Sequence, residues 1–199
     1  MKYKIGVFGS AEGNIKKILN KAHLLGKELG IQNVIVITGA STGLPYEVAK
    51  TAKKNGAQIW GYSQATNLKD QEKICPGCDS NIYKKLIFIP KDYKFATNNA
   101  VCKKYRNVTS TATCDAGIII SGRWGTLNEF TNLYDMGKII GVLTETRGIA
   151  DELQSLNRKI SKKSKAKVIF SDKPSELIKN IIAELHHKLT LTHPGGVVA

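Results

Sequence analysis

Short apolar runs rich in β-branched residues recur along the chain, and each is followed by a stretch whose apolar positions step by three and four. This alternation predicts parallel βα units. The strands expected are Lys4 to Gly9, Asn33 to Thr38, Gln58 to Gly61, Leu86 to Ile89, Ala116 to Ile120, Lys138 to Leu143 and Lys167 to Phe170. Val34-Ile35-Val36-Ile37 and Ile118-Ile119-Ile120 are apolar on both faces, as strands covered from above and below must be. Helical spacing marks Asn14 to Leu29, Pro45 to Asn55, Thr97 to Thr113, Thr126 to Met136, Ala150 to Lys163 and Ser175 to His187. In the first, Ile15, Ile18, Leu19, Ala22, Leu25 and Leu29 make one apolar stripe. The expected fold is a three-layer α/β domain over residues 1–188, with a parallel sheet of about seven strands and helices on both faces.

Two stretches break the rhythm. Ser63 to Lys85 shows little periodicity and reads as a loop insertion long enough to serve as a lid. Leu189 to Ala199, with Pro194-Gly195-Gly196, has nothing to bury and reads as a disordered tail.

At 199 residues the chain suits a single core. No apolar run approaches the roughly 18 residues of a membrane span, and Met1-Lys2-Tyr3-Lys4 leads straight into the first strand. A membrane anchor and a secretory signal are therefore not expected, and a cytoplasmic location is. Thirty basic against sixteen acidic side chains give a formal charge of +14, a field that attracts polyanions and phosphorylated ligands. All but Arg106, Arg123, Arg147 and Arg158 of the basic residues are Lys, so the planar fork that reads base edges is scarce. The dense cluster from Arg158 to Lys167 reads as the solvated end of a helix, and nucleic acid is expected to bind only non-specifically.

Four cysteines without a signal peptide suggest reduced thiols. Cys75-Pro76-Gly77-Cys78 has the spacing of half a tetrahedral metal site, but no second pair completes it, since Cys102 and Cys114 stand apart. No metal is expected; the plain reading is two thiols on a loop turned by Pro-Gly.

Parallel sheets take ligands at the carboxyl ends of their strands, so the turns that follow strands carry the chemistry. Three are glycine-bearing, small and hydroxylated: Gly9-Ser10-Ala11-Glu12-Gly13, Thr38-Gly39-Ala40-Ser41-Thr42-Gly43 and Ser121-Gly122-Arg123-Trp124-Gly125-Thr126. Each precedes a helix, where free amides and the helix dipole favour an anion. Candidate phosphate-binding residues are Gly9, Ser10, Gly39, Ser41, Thr42, Gly43, Gly122, Arg123, Gly125 and Thr126. Glu129 follows Thr126 by three residues, the spacing of a capping box at a helix start; a second role, facing the sugar of a bound nucleotide, is compatible with it.

The stretch Ser121-Gly122-Arg123-Trp124-Gly125-Thr126-Leu127-Asn128-Glu129 resembles the Pro-Gly-Gly-x-Gly-Thr-x-x-Glu pattern of the LOG-like, Rossmann-type nucleotide-binding family, often mislabelled lysine decarboxylases. It matches at Gly122, Gly125, Thr126 and Glu129, and the likeness extends through Arg106-Asn107, Cys114-Asp115-Ala116 and the turn from Thr38 to Pro45. The resemblance implies a Rossmann-like fold and a homodimer that hydrolyses the N-glycosidic bond of a nucleoside 5′-monophosphate without a cofactor, freeing base and ribose 5-phosphate. It implies a 5′-phosphate held by Gly122, Gly125 and Thr126, and a catalytic pair of Glu129 and Arg106. Two positions depart from the pattern. Ser121 replaces the Pro, which should alter only the turn's rigidity, and Arg123 replaces the second Gly, where a close backbone approach or a positive φ is expected. Arg123 either adds a phosphate fork or fills the pocket and marks a member that binds without cleaving. Tyr105 stands where cytokinin-nucleotide enzymes carry a Glu, so a different base is expected.

Two other functions use the same features: a non-catalytic nucleotide-binding or sensing module, and a nucleic-acid-binding protein using the basic surface, as distantly related DNA-processing proteins of this Rossmann type do.

Overall fold

The computed structural model describes residues 2–11, 18–160 and 162–192. Its strands are β1 (Lys4–Gly9), β2 (Ile35–Thr38), β3 (Gln58–Tyr62), β4 (Lys85–Ile87), β5 (Ala116–Ile120), β6 (Ile139–Leu143) and β7 (Lys167–Ser171). The helices are α1 (Leu19–Ile31), α2 (Leu44–Lys54), α3 (Leu68–Ile74), α4 (Asn99–Thr113), α5 (Trp124–Asp135), α6 (Ile149–Lys159) and α7 (Pro174–Thr192). The strands form one parallel sheet in the order β4-β3-β2-β1-β5-β6-β7. This is the expected three-layer, Rossmann-like architecture.

Alternation along each strand sorts the core into two layers. Val7, Val36, Ile118 and Ile120 pack with Leu25 of α1, Val48 of α2 and Leu177 and Ile181 of α7. Phe8, Ile37, Ile119 and Ile140 face the other way, onto Phe130 and Leu133 of α5 and Leu153 of α6. Each layer withdraws apolar surface from water on its own side of the sheet, so the strands' near-continuous apolar runs are all used.

The chain leaves β1 toward β2, β3 and β4, then returns to lay β5 on the other side of β1. Gly9 pairs with Ile120 at the carboxyl ends of these two strands. Connections diverge at such a reversal and leave a crevice above the strand ends.

Several boundaries differ from expectation. Of the first predicted helix, residues 14–17 lie outside the described residues, as do Glu12 and Gly13 of the first turn; the described part runs from Leu19 to Ile31. Helix α6 ends at Lys159, before most of the lysine cluster, which forms the connection to β7. Helix α7 runs to Thr192, four residues into the expected tail, and 193–199 lie outside the described residues. No helix among the described residues is long and apolar enough to cross a membrane.

The insertion at 63–85 is not a bare loop. Asn67 caps α3 by accepting from the Asp70 amide, and a 3₁₀ turn follows at Ser80–Ile82. Nor are its cysteines the expected free thiols, for Cys75 and Cys78 are joined in a disulfide. Only Pro76 and Gly77 lie between them, so the bond clamps the tight turn at the end of α3. The helix is pinned to the sheet by Gln71, whose amide donates to the Ala40 carbonyl (2.8 Å) while its oxygen accepts from Ser63 Oγ (2.5 Å). Gln71 and Ser63 are both buried. Helical periodicity missed α3 because seven residues hold too few apolar steps, and because its buried anchor is polar.

Gln71→Ala should lower stability by about 1–3 kcal/mol, since it takes the side-chain donor from the Ala40 carbonyl and the acceptor from the Ser63 hydroxyl, whose oxygen keeps only the Ala65 amide as a partner. Denaturant melts check the loss, and hydrogen exchange should show it concentrated in residues 63–75.

Candidate functional site

The crevice above β1 and β5 is a cleft of about 300 Å³. Gly9 and Ser10 from the first turn, Gly39, Ser41 and Thr42 from the second, and Arg123, Gly125 and Thr126 from the third all line it, together with Arg106 and Glu129. Ten of the residues singled out in the sequence therefore share one wall. Gly43 and Gly122 do not line the cleft; they hold the turns behind it. Gly43 precedes α2, whose first amide, that of Leu44, donates to the Ser10 carbonyl (2.9 Å) and so ties the first two turns together.

Arg106 sits on α4, eight residues before Cys114, and its side chain points into the crevice wall. Nη1 donates to the Gly39 carbonyl and Nε to Asn107 Oδ1 (3.1 Å). A Cβ on residue 39 would stand 2.1 Å from Nη1, so the guanidinium reaches its acceptor only because glycine is there. Asn107 in turn donates to Asn128 of α5 (3.3 Å), which links the arginine's support to the helix that carries Glu129. Arg106 and Asn107 are 6% and 1% exposed, so this network is closed to solvent.

The third turn is built differently from expectation. Helix α5 starts at Trp124 with Arg123 as its cap residue, and no side chain caps it. Thr126 is thus the third helical residue and Glu129 lies in the second turn, so the expected capping box is absent. The backbone reversal occurs earlier, at Ser121 (φ 55°) and Gly122 (φ 96°). Ser121 also donates its amide to Thr146 Oγ1 (2.8 Å), and Ile149 donates to the Gly122 carbonyl (2.8 Å), so the β6–α6 turn braces the β5 turn. Serine in place of proline is more than a change of rigidity: proline can supply neither the positive φ nor the N–H. Arg123, in contrast, is extended (φ −132°), so the glycine-like backbone expected there is not needed, and its side chain is exposed on the rim rather than filling the cleft. A Cβ on Gly125 would meet nothing within 4 Å, so that backbone is open to whatever enters.

Glu129 is 7% exposed. Burial raises its pKa from 4.5 to about 7, against the opposing pull of Arg106, then Lys103 and Lys104. Burial likewise lowers the pKa of Arg106, and Glu129 raises it again. A carboxyl poised near neutrality beside a fixed cation can hold or release a proton at working pH.

Lys103, Gln64, Gln71 and Cys75 line the same cleft, and sequence reasoning missed them. Lys103 was within reach, because residues 103, 106 and 107 share one face of α4. Gln64, Gln71 and Cys75 arrive through the insertion, and nothing in their spacing announces it. Among the described residues no group of three or more metal-ligating side chains is gathered.

Residues 2–178 match the SLOG cluster4 family. The chain belongs to that family. Its fold is shared with the structural-genomics protein TM1055 at a TM-score of 0.72 and 17% identity, over 92% of this chain and 99% of the other. The molybdenum cofactor binding protein of Rippkaea orientalis gives a TM-score of 0.65 at 21% identity, over 92% of this chain and 98% of the other. DNA processing protein A of Helicobacter pylori, described with a single-stranded DNA binding mode, gives 0.62 at 16%, over 92% and 81%. No curated protein matches the chain. In this SLOG cluster4 protein the cleft stands at the strand-order reversal, where the fold places ligands.

Ser121→Pro should cost about 3 kcal/mol or more, because it removes a buried amide donor and cannot take the turn's φ, whereas Ser121→Gly should stay within about 1 kcal/mol of the parent. Chemical denaturation of the two variants checks this.

Glu129 makes stability depend on pH with a defined sign. Between 4.5 and about 7 the folded protein keeps a proton that the unfolded chain has released, so stability falls as pH rises through that window. Glu129→Gln, which resembles the protonated acid, should remove that slope and gain up to about 3 kcal/mol over the parent at pH 8, the gain fading toward pH 4. Denaturant titrations of both proteins across this range test it.

Proposed function

We propose that this SLOG cluster4 protein binds a nucleoside 5′-monophosphate and hydrolyses its N-glycosidic bond, releasing the base and ribose 5-phosphate. The observation that carries the reading is a buried carboxyl, Glu129, held beside a buried guanidinium, Arg106, in the same cleft as three amide-rich turns. In this reading the phosphate lies on the open backbone at Gly125 and Thr126, with the turns at Ser10 and at Ser41–Thr42 around it. The ribose then meets Glu129. As the C1′–N bond breaks, positive charge grows on the sugar and the carboxylate stabilises it. Water forms the new C1′–O bond and its proton leaves on the base. Arg106, fixed on Gly39 and Asn107, favours the ionised form of Glu129 against the effect of burial. The motif likeness to LOG-type enzymes supports the same assignment, and a homodimer goes with it; Val108 on α4 and Trp124 at the start of α5 are exposed apolar side chains suited to an interface.

A second reading is binding without cleavage. The extended likeness to a molybdenum cofactor binding protein favours it, as does Arg123, a cation at the rim that would retain a phosphorylated cargo.

Incubation with a panel of nucleoside monophosphates, assayed for free base and ribose 5-phosphate, separates the two. AMP should raise the melting temperature and adenosine should not, and equal shifts would remove the phosphate argument. Glu129→Gln should keep nucleotide binding while hydrolysis falls about a hundredfold or more. Gly125→Ala should fold as well as the parent, since its methyl meets no protein atom, yet weaken the nucleotide. Clear binding with no product from any nucleotide would favour the second reading.

A further inference from the structure

A second space adjoins the cleft at α3. Gln64 and Ile74 line the cleft and also line a second chamber of about 550 Å³, so the two spaces meet at those side chains. A site of about 300 Å³ is at the small end for organic ligands and is filled by one nucleotide. The chamber beyond is room that a nucleoside monophosphate leaves unused. Helix α3, which carries Ile74 between the two spaces, is fixed, because Gln71 bonds it to the Ala40 carbonyl.

The chamber has a charge pattern of its own. Lys73 reaches it from α3, and Lys91 and Thr97 from the segment between β4 and α4. Asp70 is the one acid lining it. That carboxylate is already satisfied: it accepts from Asn67 Nδ2 (2.6 Å) and Thr66 Oγ1 (3.3 Å), and Lys73 stands 3.7 Å away. Lys91 has no ion pair among the described residues. The chamber therefore carries net positive charge, at one remove from the cations Lys103, Arg106 and Arg123 of the first cleft. Two adjoining spaces, each with net positive charge, suit a ligand with two separated anionic groups.

We propose that the ligand is a 5′-nucleotide that also carries a phosphate on its 3′-oxygen, with the 5′-phosphate on the glycine turns and the 3′-phosphate in the chamber against Lys91 and Lys73. The proposal rests on the reading of the first cleft as a nucleotide site. Two molecules carry this chemistry: a free nucleoside 3′,5′-bisphosphate and a 5′-phosphorylated dinucleotide, whose second nucleoside would occupy the chamber past the linking phosphate.

Titration calorimetry at low salt with AMP, adenosine 3′,5′-bisphosphate and 5′-phosphorylated diadenylate tests it on the parent, Lys91→Glu and Thr97→Trp. The parent should bind at least one of the doubly phosphorylated ligands about tenfold or more tighter than AMP. Lys91→Glu should abolish that preference and leave AMP unchanged. Thr97→Trp fills the chamber without touching the cleft. It should weaken the dinucleotide most, and the tighter of the two ligands in the parent identifies the source. Equal affinity for AMP and both larger ligands in the parent overturns the proposal and leaves the nucleotide reading standing. An equal loss of AMP and bisphosphate affinity in Lys91→Glu also overturns it. Binding of none of the three overturns the nucleotide reading itself, and this proposal with it.

Discussion

The site depends on one buried cation. Arg106 spans from α4 to the turn after β2, and it exists there because Gly39 lacks a side chain and offers its carbonyl. A guanidinium removed from water is costly unless its donors are used and its charge is matched. Gly39 and Asn107 use the donors, and Glu129 supplies the opposing charge. Elements far apart in sequence are thereby committed to one geometry: the β2 turn, α4 and α5 cannot shift independently without leaving charge or hydrogen-bonding groups unpaired. The β5 turn is held from the other side by Thr146, which accepts from Ser121 and donates to the Leu143 carbonyl (2.6 Å). The crevice that the strand order opens is made into a site by these two clamps.

Much of this was legible in the sequence for a physical reason. Strands buried on both faces must be apolar throughout, and helices packed on them must be apolar on one stripe, so β1, β2, β5 and β6 and the helices between them declare themselves by composition. The turns that follow those strands were equally visible, because only small, flexible residues let a backbone approach a ligand. Arg106 and Glu129 were found through their likeness to a known motif. Their burial, and the network through Asn107 and Asn128, were not readable, since nothing in a linear sequence distinguishes a buried arginine from a solvated one.

What escaped has a common cause. Helix α3 is held by polar contacts, through Asn67 at its start and Gln71 in its middle, and periodicity arguments count only apolar residues. The capping box at Thr126 and Glu129 had the right spacing but the wrong register. Helix α5 begins at Trp124 because the positive-φ residues Ser121 and Gly122 complete the reversal before it, and at that register the Glu129 amide lies inside the helix and is no longer free for the Thr126 hydroxyl. Loss of that role leaves Glu129 with no local task. It is buried beside Arg106 in the cleft, where burial disfavours its charge by more than the guanidinium favours it.

That last point bears on why the carboxyl is retained. Burial lifts its pKa to about 7 despite a neighbouring guanidinium, so near neutrality the ionised form weakens the folded state. A glutamine of the same shape would remove that cost, while Arg106 keeps Gly39 and Asn107 as acceptors. An acid that opposes stability, faces a cleft and caps no helix fits the ligand-directed role proposed for Glu129 better than a role in the fold. The same argument does not extend to Arg123. Its backbone is unstrained and its side chain is exposed, so it costs the fold little, and its place on the rim is open to variation. The proposed hydrolysis therefore places selection for chemistry on Glu129 and its arginine, and the proposed ligand places selection for binding on the rim and on Gln64 and Ile74, where the two spaces meet.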